Sequence, residues 1–328
     1  MNILIRLPNW LGDMVMSTAF VKAVGKAYPD ATIDVIAKKG IEVLLDYFQP
    51  EGQHYIFSKE EYKGLSGAWR FGKAISRQKK YDLFFSLPDS FSSAVMGLAT
   101  GAKRRVGYKK ELRSLLLTNS YTRKKNMHRV EEYIDLLQQF IKKKIPPVPV
   151  ELKDTVTHKK NAVVININSE ASSRRLPAAK AISIIATIRE KISCEIILVG
   201  TPVEKEFVDK VFTGLKNNSN ISNKAGQTNL AQLVSILSSC DAVVTTDSGP
   251  AHLANALGIY TIVLNGAGDE KHTAPYNAAK CGIIRLGQLP CEPCVSNTCK
   301  VYGVPECLLR LDEQAIAQKL ILALKNNY

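Results

Sequence analysis

Strand-like and helix-like segments alternate along most of this 328-residue chain, in two series separated by a proline-rich stretch. In the first series, apolar runs of strand length lie at 2–7, 31–38 and 81–87. Because strands that alternate with helices form parallel βαβ units, the pattern predicts a doubly wound α/β sheet. Apolar residues at helical spacing predict helices over 13–28, 66–78, 91–99 and 128–143.

The stretch KKKIPPVPVEL at 142–152 interrupts this alternation, because its three prolines fit neither a helix interior nor a central strand. After it the alternation restarts, so we expect two domains, 1–148 and 149–328, each of ordinary domain length. Strands are predicted at 161–167, 194–200, 241–246 and 260–265, and helices at 178–191, 203–217, 229–239, from Pro250, and at 312–326.

The formal net charge of +14 is concentrated in one part of the chain. Between Gly101 and Ile145 there are thirteen Lys or Arg and four Asp or Glu. Such a surface attracts phosphates of nucleic acids, anionic lipids or phosphorylated small molecules, although a solvated basic face without a partner is an equal alternative.

Several classes of protein are disfavoured. No run of 18 apolar residues predicts a transmembrane helix, and the N-terminus lacks the layout of a signal peptide. Seven cysteines in a chain of this size do not suggest a secreted disulfide scaffold, so the expected compartment is the cytoplasm. Neither a P-loop nor a G-x-G-x-x-G turn after the first strand is present, which argues against a P-loop NTPase and a dinucleotide oxidoreductase.

The segment TTDSGPAHLANALG at 245–258 carries the strongest site signal. A buried strand ends at Asp247-Ser248, Gly249 permits close approach of the backbone, and Pro250 suits the first turn of a helix. Such a turn aims free N–H groups at an anion, so a diphosphate would fit there. The alternative is a capped helix without a ligand, since such caps are common.

Two further strand ends carry polar residues. Ser169 and two arginines follow the strand at 161–167, and either Arg174 or Arg175 could clamp a phosphate; the alternative is a basic loop before a helix. Glu204 follows the strand at 194–200, where a carboxylate can accept hydrogen bonds from ribose hydroxyls. On its own, Glu204 is better explained as a glutamate that interacts favourably with a helix dipole.

Four late cysteines, in the spacing C-x2-C-x4-C-x7-C, could hold a structural zinc. The last interval is longer than zinc knuckles usually have, so reduced or locally disulfide-bonded thiols are the favoured alternative. The residues are Cys291, Cys294, Cys299 and Cys307.

The segment LPNWLGDMVM at 7–16 places a carboxylate, Asp13, among apolar residues just after the first strand. Pro8 and Gly12 predict a turn that ends this strand and presents Asp13 at a ligand-binding edge. A carboxylate flanked by Trp10, Leu11 and Met14 would be partly desolvated, and this would make it a stronger base.

Together these segments resemble glycosyltransferase family 9, which includes the bacterial lipopolysaccharide heptosyltransferases, and the opening most resembles the heptosyltransferase II branch. The resemblance spans nearly the whole chain. The pairing of G-D-x-[VM] at the start with D-S-G-x-x-H in the second half is its specific element. The other segments are GAKRRVGY, HRVEEYIDLL, the stretch from AGQTNLAQ into the D-S-G turn, and APYN.

The resemblance implies a GT-B fold, with two Rossmann-like domains facing each other across a cleft. The first domain would bind the acceptor and the second the nucleotide sugar. It further implies transfer of a heptose from an ADP-activated donor to the inner core of lipopolysaccharide, with inversion and without a catalytic metal or other cofactor. Asp13 matches the catalytic base. The implied donor-binding residues are Ser169, Arg174, Glu204, Thr228, Asp247, Ser248, Gly249 and His252, and we place Trp10, Gly12, Arg104 and Arg105 on the acceptor side.

The sequence departs from the family pattern around the donor. Leu176 replaces the tryptophan of a K-x-W-P motif, and GAGDE at 266–270 replaces G-P-T-D-P. A family 9 enzyme that uses another nucleotide sugar or glycan acceptor is therefore the main alternative. A non-enzymatic nucleotide- or nucleic-acid-binding protein, suggested by charge alone, lacks a motif and leaves Asp13 unexplained. We expect a membrane-anchored anionic acceptor, peripheral association with the cytoplasmic face of the inner membrane, and no nucleic-acid partner.

Overall fold

The computed structural model describes residues 1–153 and 161–325. Its chain divides into two compact units, Met1–Glu151 and Leu152–Tyr328, so the division falls within the proline-rich stretch at 142–152. None of the described helices is both long and apolar enough to cross a membrane.

The first unit is a six-stranded parallel sheet in the order β3-β2-β1-β4-β5-β6. This is the Rossmann order, in which the direction of winding reverses between β1 and β4. The strands are β1 (Asn2–Arg6), β2 (Thr32–Lys38), β3 (His54–Phe57), β4 (Leu83–Ser86), β5 (Arg104–Tyr108) and β6 (Asn119–Tyr121). The helices are α1 (Leu11–Ala27), α2 (Leu45–Phe48), α3 (Gly64–Gln78), α4 (Phe91–Ala99) and α5 (Arg129–Ile141), with 3-10 turns at Glu42–Leu44 and Glu111–Leu116.

Two helical layers cover this sheet. Helix α1 packs against α5, and it is buried over most of its length because its apolar residues occupy nearly every position from Met14 to Val24. Helix α3 packs against α4, which in turn packs against the 3-10 turn Glu111–Leu116. The buried side chains of α3, such as Phe71 and Ile75, belong to a core cluster with Phe84 of the central strand β4.

The second unit repeats this architecture, with a parallel sheet in the order β12-β11-β10-β7-β8-β9. Its winding reverses between β7 and β10. The strands are β7 (Ala162–Asn166), β8 (Glu195–Leu198), β9 (Ile221–Asn223), β10 (Ala242–Thr246), β11 (Tyr260–Asn265) and β12 (Cys281–Arg285). The helices are α6 (Ala178–Lys191), α7 (Lys205–Thr213), α8 (Leu230–Ser239), α9 (Gly249–Ala256), α10 (Glu270–Thr273), α11 (Glu306–Leu309) and α12 (Glu313–Lys325), with 3-10 turns at Ser172–Arg174, Pro202–Glu204 and Ala278–Lys280.

The predicted α/β class is confirmed, and every long element predicted from periodicity is present, with shifts at the ends. The helix predicted at 203–217 ends at Thr213, and the predicted end of the last helix, Asn326, lies outside the described residues. Five strands were not predicted: β3, β5, β6, β9 and β12. These are short, and several carry charged or polar residues, so their sequences lack the apolar run that identifies a buried strand.

A buried carboxylate ties β2 to the rest of the first sheet. Asp34 is fully buried, and it accepts hydrogen bonds from Tyr81 Oη at 2.5 Å and from the backbone N–H of Gln53 at 2.8 Å. Lys79 Nζ lies 2.7 Å from Oδ2, the same oxygen that accepts from Tyr81. Burial and the Asp34 hydrogen bond raise the pKa of Tyr81, so its phenol remains a donor.

We expect Asp34→Ala to destabilise the first unit by about 3 kcal/mol, because it leaves a buried phenol and an ammonium group without their acceptor. Chemical denaturation followed by circular dichroism measures this loss. Asp30→Ala, at an exposed site, is the control and should change stability by less than about 0.5 kcal/mol. Equal effects of the two substitutions would contradict the role assigned to Asp34.

Candidate active site

In the first unit, polar residues collect at the carboxyl edge of the sheet where its winding reverses. The register pairs Arg6 of β1 with Ser86 of β4, and Ser86 with Gly107 of β5, so these strands end at one edge. Asp13 follows β1 and Asp89 follows β4. Ligands of open parallel sheets bind at this position.

The turn after β1 is held from within by Arg6. Its guanidinium is buried, and Nη1 donates to the carbonyls of Leu7 at 2.8 Å and Ile36 at 3.1 Å. Burial lowers the pKa of Arg6 to about 10. Helix α1 begins earlier than predicted, so Gly12 lies in its first turn rather than in the loop, and Trp10 precedes the helix with 59% of its surface exposed.

The surroundings of Asp13 differ from the apolar setting that the sequence suggests. Met14, Val15 and Met16 turn into the core, whereas the Asp13 side chain keeps 28% of its surface exposed. Its Oδ1 lies 3.5 Å from Arg129 Nε and 3.5 Å from Tyr133 Oη, both on α5. Asp13 is therefore partly desolvated, as expected, but the groups that approach its Oδ1 are a guanidinium and a phenol rather than its apolar neighbours in sequence.

Of the two α5 partners of Asp13, Tyr133 is buried and Arg129 is half-buried. Burial and the Asp13 charge raise the pKa of Tyr133 well above its usual value, so Tyr133 remains a hydroxyl donor. Burial alone would lower the pKa of Arg129, but Tyr133, Glu132 and Asp13 outweigh it and raise the pKa. Arg129 Nε is buried without a hydrogen-bond partner among the described residues, so its N–H is available to the nearby carboxylate.

From Arg129 a chain of ion pairs runs across the edge of the sheet. Arg129 Nη1 lies 2.6 Å from Glu132, Arg123 lies 3.6 Å from Glu132 and 2.6 Å from Asp89, and Arg113 lies 3.2 Å from Asp89. Arg113 is 1% exposed and donates to Ser86 Oγ at 2.9 Å. Three arginines therefore alternate with acids, so these three positive charges of 101–145 are paired within the protein.

The two arginines expected on the acceptor side lie elsewhere. Arg104 and Arg105 pair with Leu83 and Phe84 in the amino-terminal half of the sheet, whereas Asp13 lies at the carboxyl edge. Arg105 donates to the carbonyls of Leu116 at 2.9 Å and Ala102 at 2.9 Å, a local structural role. The sequence missed β5, and with it the fact that a strand carries these residues away from Asp13.

In the second unit, the ends of β7 and β10 meet in a network of side-chain hydrogen bonds. Asn166 Nδ2 donates to Ser248 Oγ at 3.0 Å and to Thr245 Oγ1 at 3.1 Å. Ser248 in turn donates to the Thr246 carbonyl at 3.1 Å, and its side chain makes no cap hydrogen bond within the described residues. The Ser248 hydroxyl therefore does not accept from an N–H group at the start of α9.

Arg174 and Asp247 form the charged centre of this network. Arg174 Nη1 lies 3.3 Å from Asp247 Oδ2, and Asp247 is only 8% exposed. Burial raises the pKa of Asp247, although Arg174 and Arg285 act in the opposite direction. Arg175 instead donates to the carbonyl of Ser169 at 3.0 Å, so the structure selects Arg174 as the arginine that reaches the site.

Several buried polar atoms around Asp247 have no hydrogen-bond partner in the described part of the chain. They are Asn168 Oδ1, Arg174 Nε, Asp247 Oδ2 and Asn265 Oδ1. Buried polar atoms are normally paired, and unpaired ones mark places where a ligand or an ion completes the bonding. Their concentration at the ends of β7, β10 and β11 is typical of a polar binding site.

The loop after β11 is held in place by Arg285, a residue that sequence reasoning missed. Its guanidinium donates to the carbonyl of Gly266 at 2.7 Å, lies 3.3 Å from Glu292, and also contacts Gly268 and Glu270. Arg285 lies on β12, which was not predicted, so its position opposite the loop could not be read from the sequence.

The remaining predicted donor residues lie around this edge. Glu204 Oε2 accepts from Thr201 N–H at 2.8 Å and Thr201 Oγ1 at 2.9 Å, so it caps the turn Pro202–Glu204, whereas the alternative raised from the sequence was a glutamate that serves a helix dipole. Thr228 follows β9, directly before the N-cap residue of α8, and is partly exposed. His252 is buried in α9.

The four late cysteines line one pocket, together with Ser173 and Tyr302. Within residues 1–153 and 161–325, however, no three His, Cys, Asp or Glu side chains group so as to hold a metal, and all seven cysteines are free thiols. Cys307 is buried in α11, whereas Cys294 is exposed. Burial raises the pKa of Cys307 to about 11. In the part of the chain that the structure describes, these thiols are thus not grouped into the zinc site that was one of the two alternatives.

Comparison with known proteins decides between an enzyme and the non-enzymatic binding protein that the charge alone had suggested. The profile of glycosyltransferase family 9 (heptosyltransferase) matches residues 68–304. The chain belongs to glycosyltransferase family 9. This family 9 chain is 30% identical to lipooligosaccharide heptosyltransferase 2 of Haemophilus influenzae, over 87% of the chain and 89% of that protein. It is 28% identical to lipopolysaccharide heptosyltransferase 2 of Escherichia coli, over 87% and 88%.

Solved structures show the same architecture as this family 9 chain. The E. coli ADP-heptose lipopolysaccharide heptosyltransferase II superposes with a TM-score of 0.84 at 24% identity, over 99% of both chains. The E. coli heptosyltransferase WaaC with ADP superposes with a TM-score of 0.77 at 16% identity, over 98% of this chain and 100% of that one. The expected GT-B fold is confirmed, and the chain is a glycosyltransferase.

Gly268 supplies a test of the polar site in the second unit. A Cβ at this position would lie 2.0 Å from Asp247 Oδ2 and 3.0 Å from Asn265 Oδ1. We expect Gly268→Ala to displace the Asp247 carboxylate and to weaken binding of inorganic diphosphate at least tenfold, roughly the effect of overpacking a tight site. Isothermal titration measures the affinity.

Gly25→Ala is the matched control, because its added methyl group meets nothing closer than 3.8 Å. It should bind diphosphate as the unmodified protein does. If Gly268→Ala also bound normally, the anion would not occupy the Asp247 site.

Proposed function

We propose that this enzyme transfers a heptose from an ADP-activated donor to a hydroxyl group of the lipopolysaccharide inner core, with inversion at the anomeric carbon. The observation that carries the proposal is that each unit presents a different charged group at the reversal point of its sheet. The reversal point of the first sheet presents one carboxylate, Asp13, and that of the second presents Arg174 beside a helix N-terminus. The names of the relatives, heptosyltransferases 2 of lipopolysaccharide or lipooligosaccharide, support the sugar and the acceptor.

Asp13 is the general base of this mechanism. Inverting transfer is an in-line displacement, in which the acceptor hydroxyl attacks the anomeric carbon and loses its proton. Arg129 and Tyr133 both approach Oδ1 of Asp13, so we assign the proton to Oδ2. The 3.5 Å contacts are long, as catalytic hydrogen bonds often are before substrate binds, and they would shorten in the complex.

The leaving diphosphate is stabilised by fixed positive charge. As the glycosidic bond breaks, negative charge builds on the diphosphate oxygen, and groups that are already oriented stabilise it at low reorganisation cost. Arg174 and the N-terminal turn of α9, with Gly249 at its start, supply this charge. We therefore propose that transfer needs no catalytic metal or other cofactor.

The acceptor we propose is anchored in a membrane and carries anionic groups, and the enzyme associates peripherally with the cytoplasmic face of the inner membrane. The unneutralised lysines of the first unit support this: Lys109, Lys110 and Lys125 are exposed. They attract anionic groups without a requirement for sequence or shape.

A family 9 transferase with a different nucleotide sugar is the alternative. Two departures from the family pattern suggested this alternative, and the structure explains the one at Leu176. Leu176 is 1% exposed and packs in the core of the second unit, so it fills the core rather than the donor site. The changed loop at Gly266–Glu270 does lie beside Asp247, and it keeps the alternative open to test.

We expect Asp13→Asn to lower kcat by at least about a thousandfold and to leave the Kd for ADP within about twofold of its normal value, because the substitution removes the base alone. A coupled assay of ADP release measures kcat, and isothermal titration measures the Kd. Equal loss of both, or full activity, would exclude Asp13 as the base.

Tyr133→Phe is a graded comparison within the same cluster. It keeps the buried ring and removes the hydroxyl that approaches Asp13. We expect kcat to fall about tenfold or less, with the Kd for ADP unchanged, since one hydrogen bond to a charged group is lost. A thousandfold loss would show that Tyr133, rather than Asp13, carries the proton.

A thermal-shift panel tests the donor. A ligand that binds the folded state raises Tm by mass action, in proportion to the logarithm of its concentration over Kd. We expect ADP and ADP-heptose to raise Tm more than UDP, GDP and their sugars do. A larger shift with UDP or GDP sugars would favour the alternative donor.

The transfer rate in the presence of EDTA tests whether the reaction needs a metal. If no metal is required, EDTA should leave this rate unchanged.

A further inference from the structure

One face of the first unit is formed by α3, α4 and the 3-10 turn Glu111–Leu116, which pack side by side; we refer to it as the α3–α4 face. The inner side chains of α3 and α4 fill the core around Phe84. Their outer side chains make no contribution to that core. What they present outward is therefore free to serve another purpose.

The α3–α4 face exposes large apolar side chains that the fold does not need. Leu65 and Trp69 of α3 are 50% and 41% exposed, Phe91 of α4 is 39% exposed, and Leu112 and Leu115 of the 3-10 turn are 69% and 81% exposed. Single exposed apolar residues are ordinary, but several in one layer mark an interaction surface.

Positive charge accompanies these residues. Between Tyr62 and Lys80 there are six Lys or Arg and no Asp or Glu; Lys79 pairs with the buried Asp34, which leaves five of these cations, and α4 contains no charged residue. Lys73 Nζ lies 5.2 Å from the centre of the Trp69 ring. Lys109 and Lys110 are exposed and directly precede the 3-10 turn, where Glu111 is the one exposed acid.

The combination of exposed apolar side chains and positive charge distinguishes a lipid surface from other binding partners. Leucines and a tryptophan surrounded by cations are typical of surfaces that lie in the interface of an anionic bilayer, where apolar groups enter the headgroup region and cations contact phosphates. A nucleic acid would use the cations and leave two strongly exposed leucines in water. Charge complementarity and exposed apolar groups thus both favour lipid.

We propose that the α3–α4 face docks on an anionic membrane surface, with Leu65, Trp69, Leu112 and Leu115 inserted and the neighbouring lysines and arginines on lipid phosphates. This deepens the proposed function, on which it rests for the lipid-linked acceptor. The Lys109–Lys110 pair follows β5 at the carboxyl edge of the sheet, the edge that also carries Asp13. Docking would hold that edge near the membrane surface.

The two tryptophans of the chain allow a direct test. Trp10→Phe leaves Trp69 as the sole tryptophan, and Trp69→Phe leaves Trp10. With vesicles of dibrominated phosphatidylcholine and about 30% phosphatidylglycerol, we expect bromine to quench Trp69 fluorescence strongly and Trp10 fluorescence little. Quenching of Trp10 alone, or of neither, would overturn the proposal.

Co-sedimentation with the same vesicles separates insertion from charge. The double variant Leu112→Ser/Leu115→Ser should lose at least tenfold in partition coefficient, about the effect of two apolar side chains left in water, and about 1 M NaCl should release the remainder. Leu322→Ser is the matched control, because Leu322 is 53% exposed on α12 in the second unit. Equal partition of the double variant and the control would refute insertion.

Activity assays keep this inference distinct from the proposed function. On an acceptor embedded in the vesicles, the double variant should lose activity at least tenfold. On the same acceptor after removal of its acyl chains, it should retain full activity. Equal loss of activity on both acceptors would contradict docking. If the unmodified enzyme transferred sugar to neither acceptor, the proposed function would be rejected instead.

Discussion

The parallel pairing of β1 with β4, and of β7 with β10, is the constraint on which both candidate sites depend. At these two pairs the winding of each sheet reverses, so the loops that leave adjacent strands diverge and open a space at the carboxyl edge. Asp13 and Asp89 occupy this space in the first unit, and Ser169 and Asp247 in the second. The same topological feature therefore positions the proposed base in the first unit and the proposed leaving-group site in the second.

The two sites use buried charge differently. In the first unit, Arg113, Arg123 and Arg129 alternate with Asp89 and Glu132, so each buried charge has an opposite neighbour and the network orders the edge. The loss of one member would leave another charge buried without compensation, which usually costs more than the pair itself contributes. In the second unit, several buried polar atoms around Asp247 have no hydrogen-bond partner among the described residues, which is typical of a ligand-binding site.

The sequence predicted the fold well because its apolar runs and helical periodicity are strong in β1, β10, α1 and α6. It also identified the turn at 247–250, whose glycine and proline suit only a few backbone conformations. It did not predict the neighbours of Asp13, because Arg129 lies 116 positions away (129 − 13) on another helix and only tertiary packing joins them. The misplaced Arg104 and Arg105, and the overlooked Arg285, follow from the short strands β5 and β12, which lack an apolar run.

The contact between Asp13 and α5 also has a consequence for biosynthesis. The segment that carries Asp13 leaves the ribosome well before Arg129 and Tyr133, which belong to the last helix of the same unit. Contacts of such long sequence separation form late, after the intervening chain has been made and closed into a sheet. A nascent chain that ends before α5 would therefore hold the carboxylate without the groups that orient it, and the first unit becomes competent only when nearly all of it has been translated.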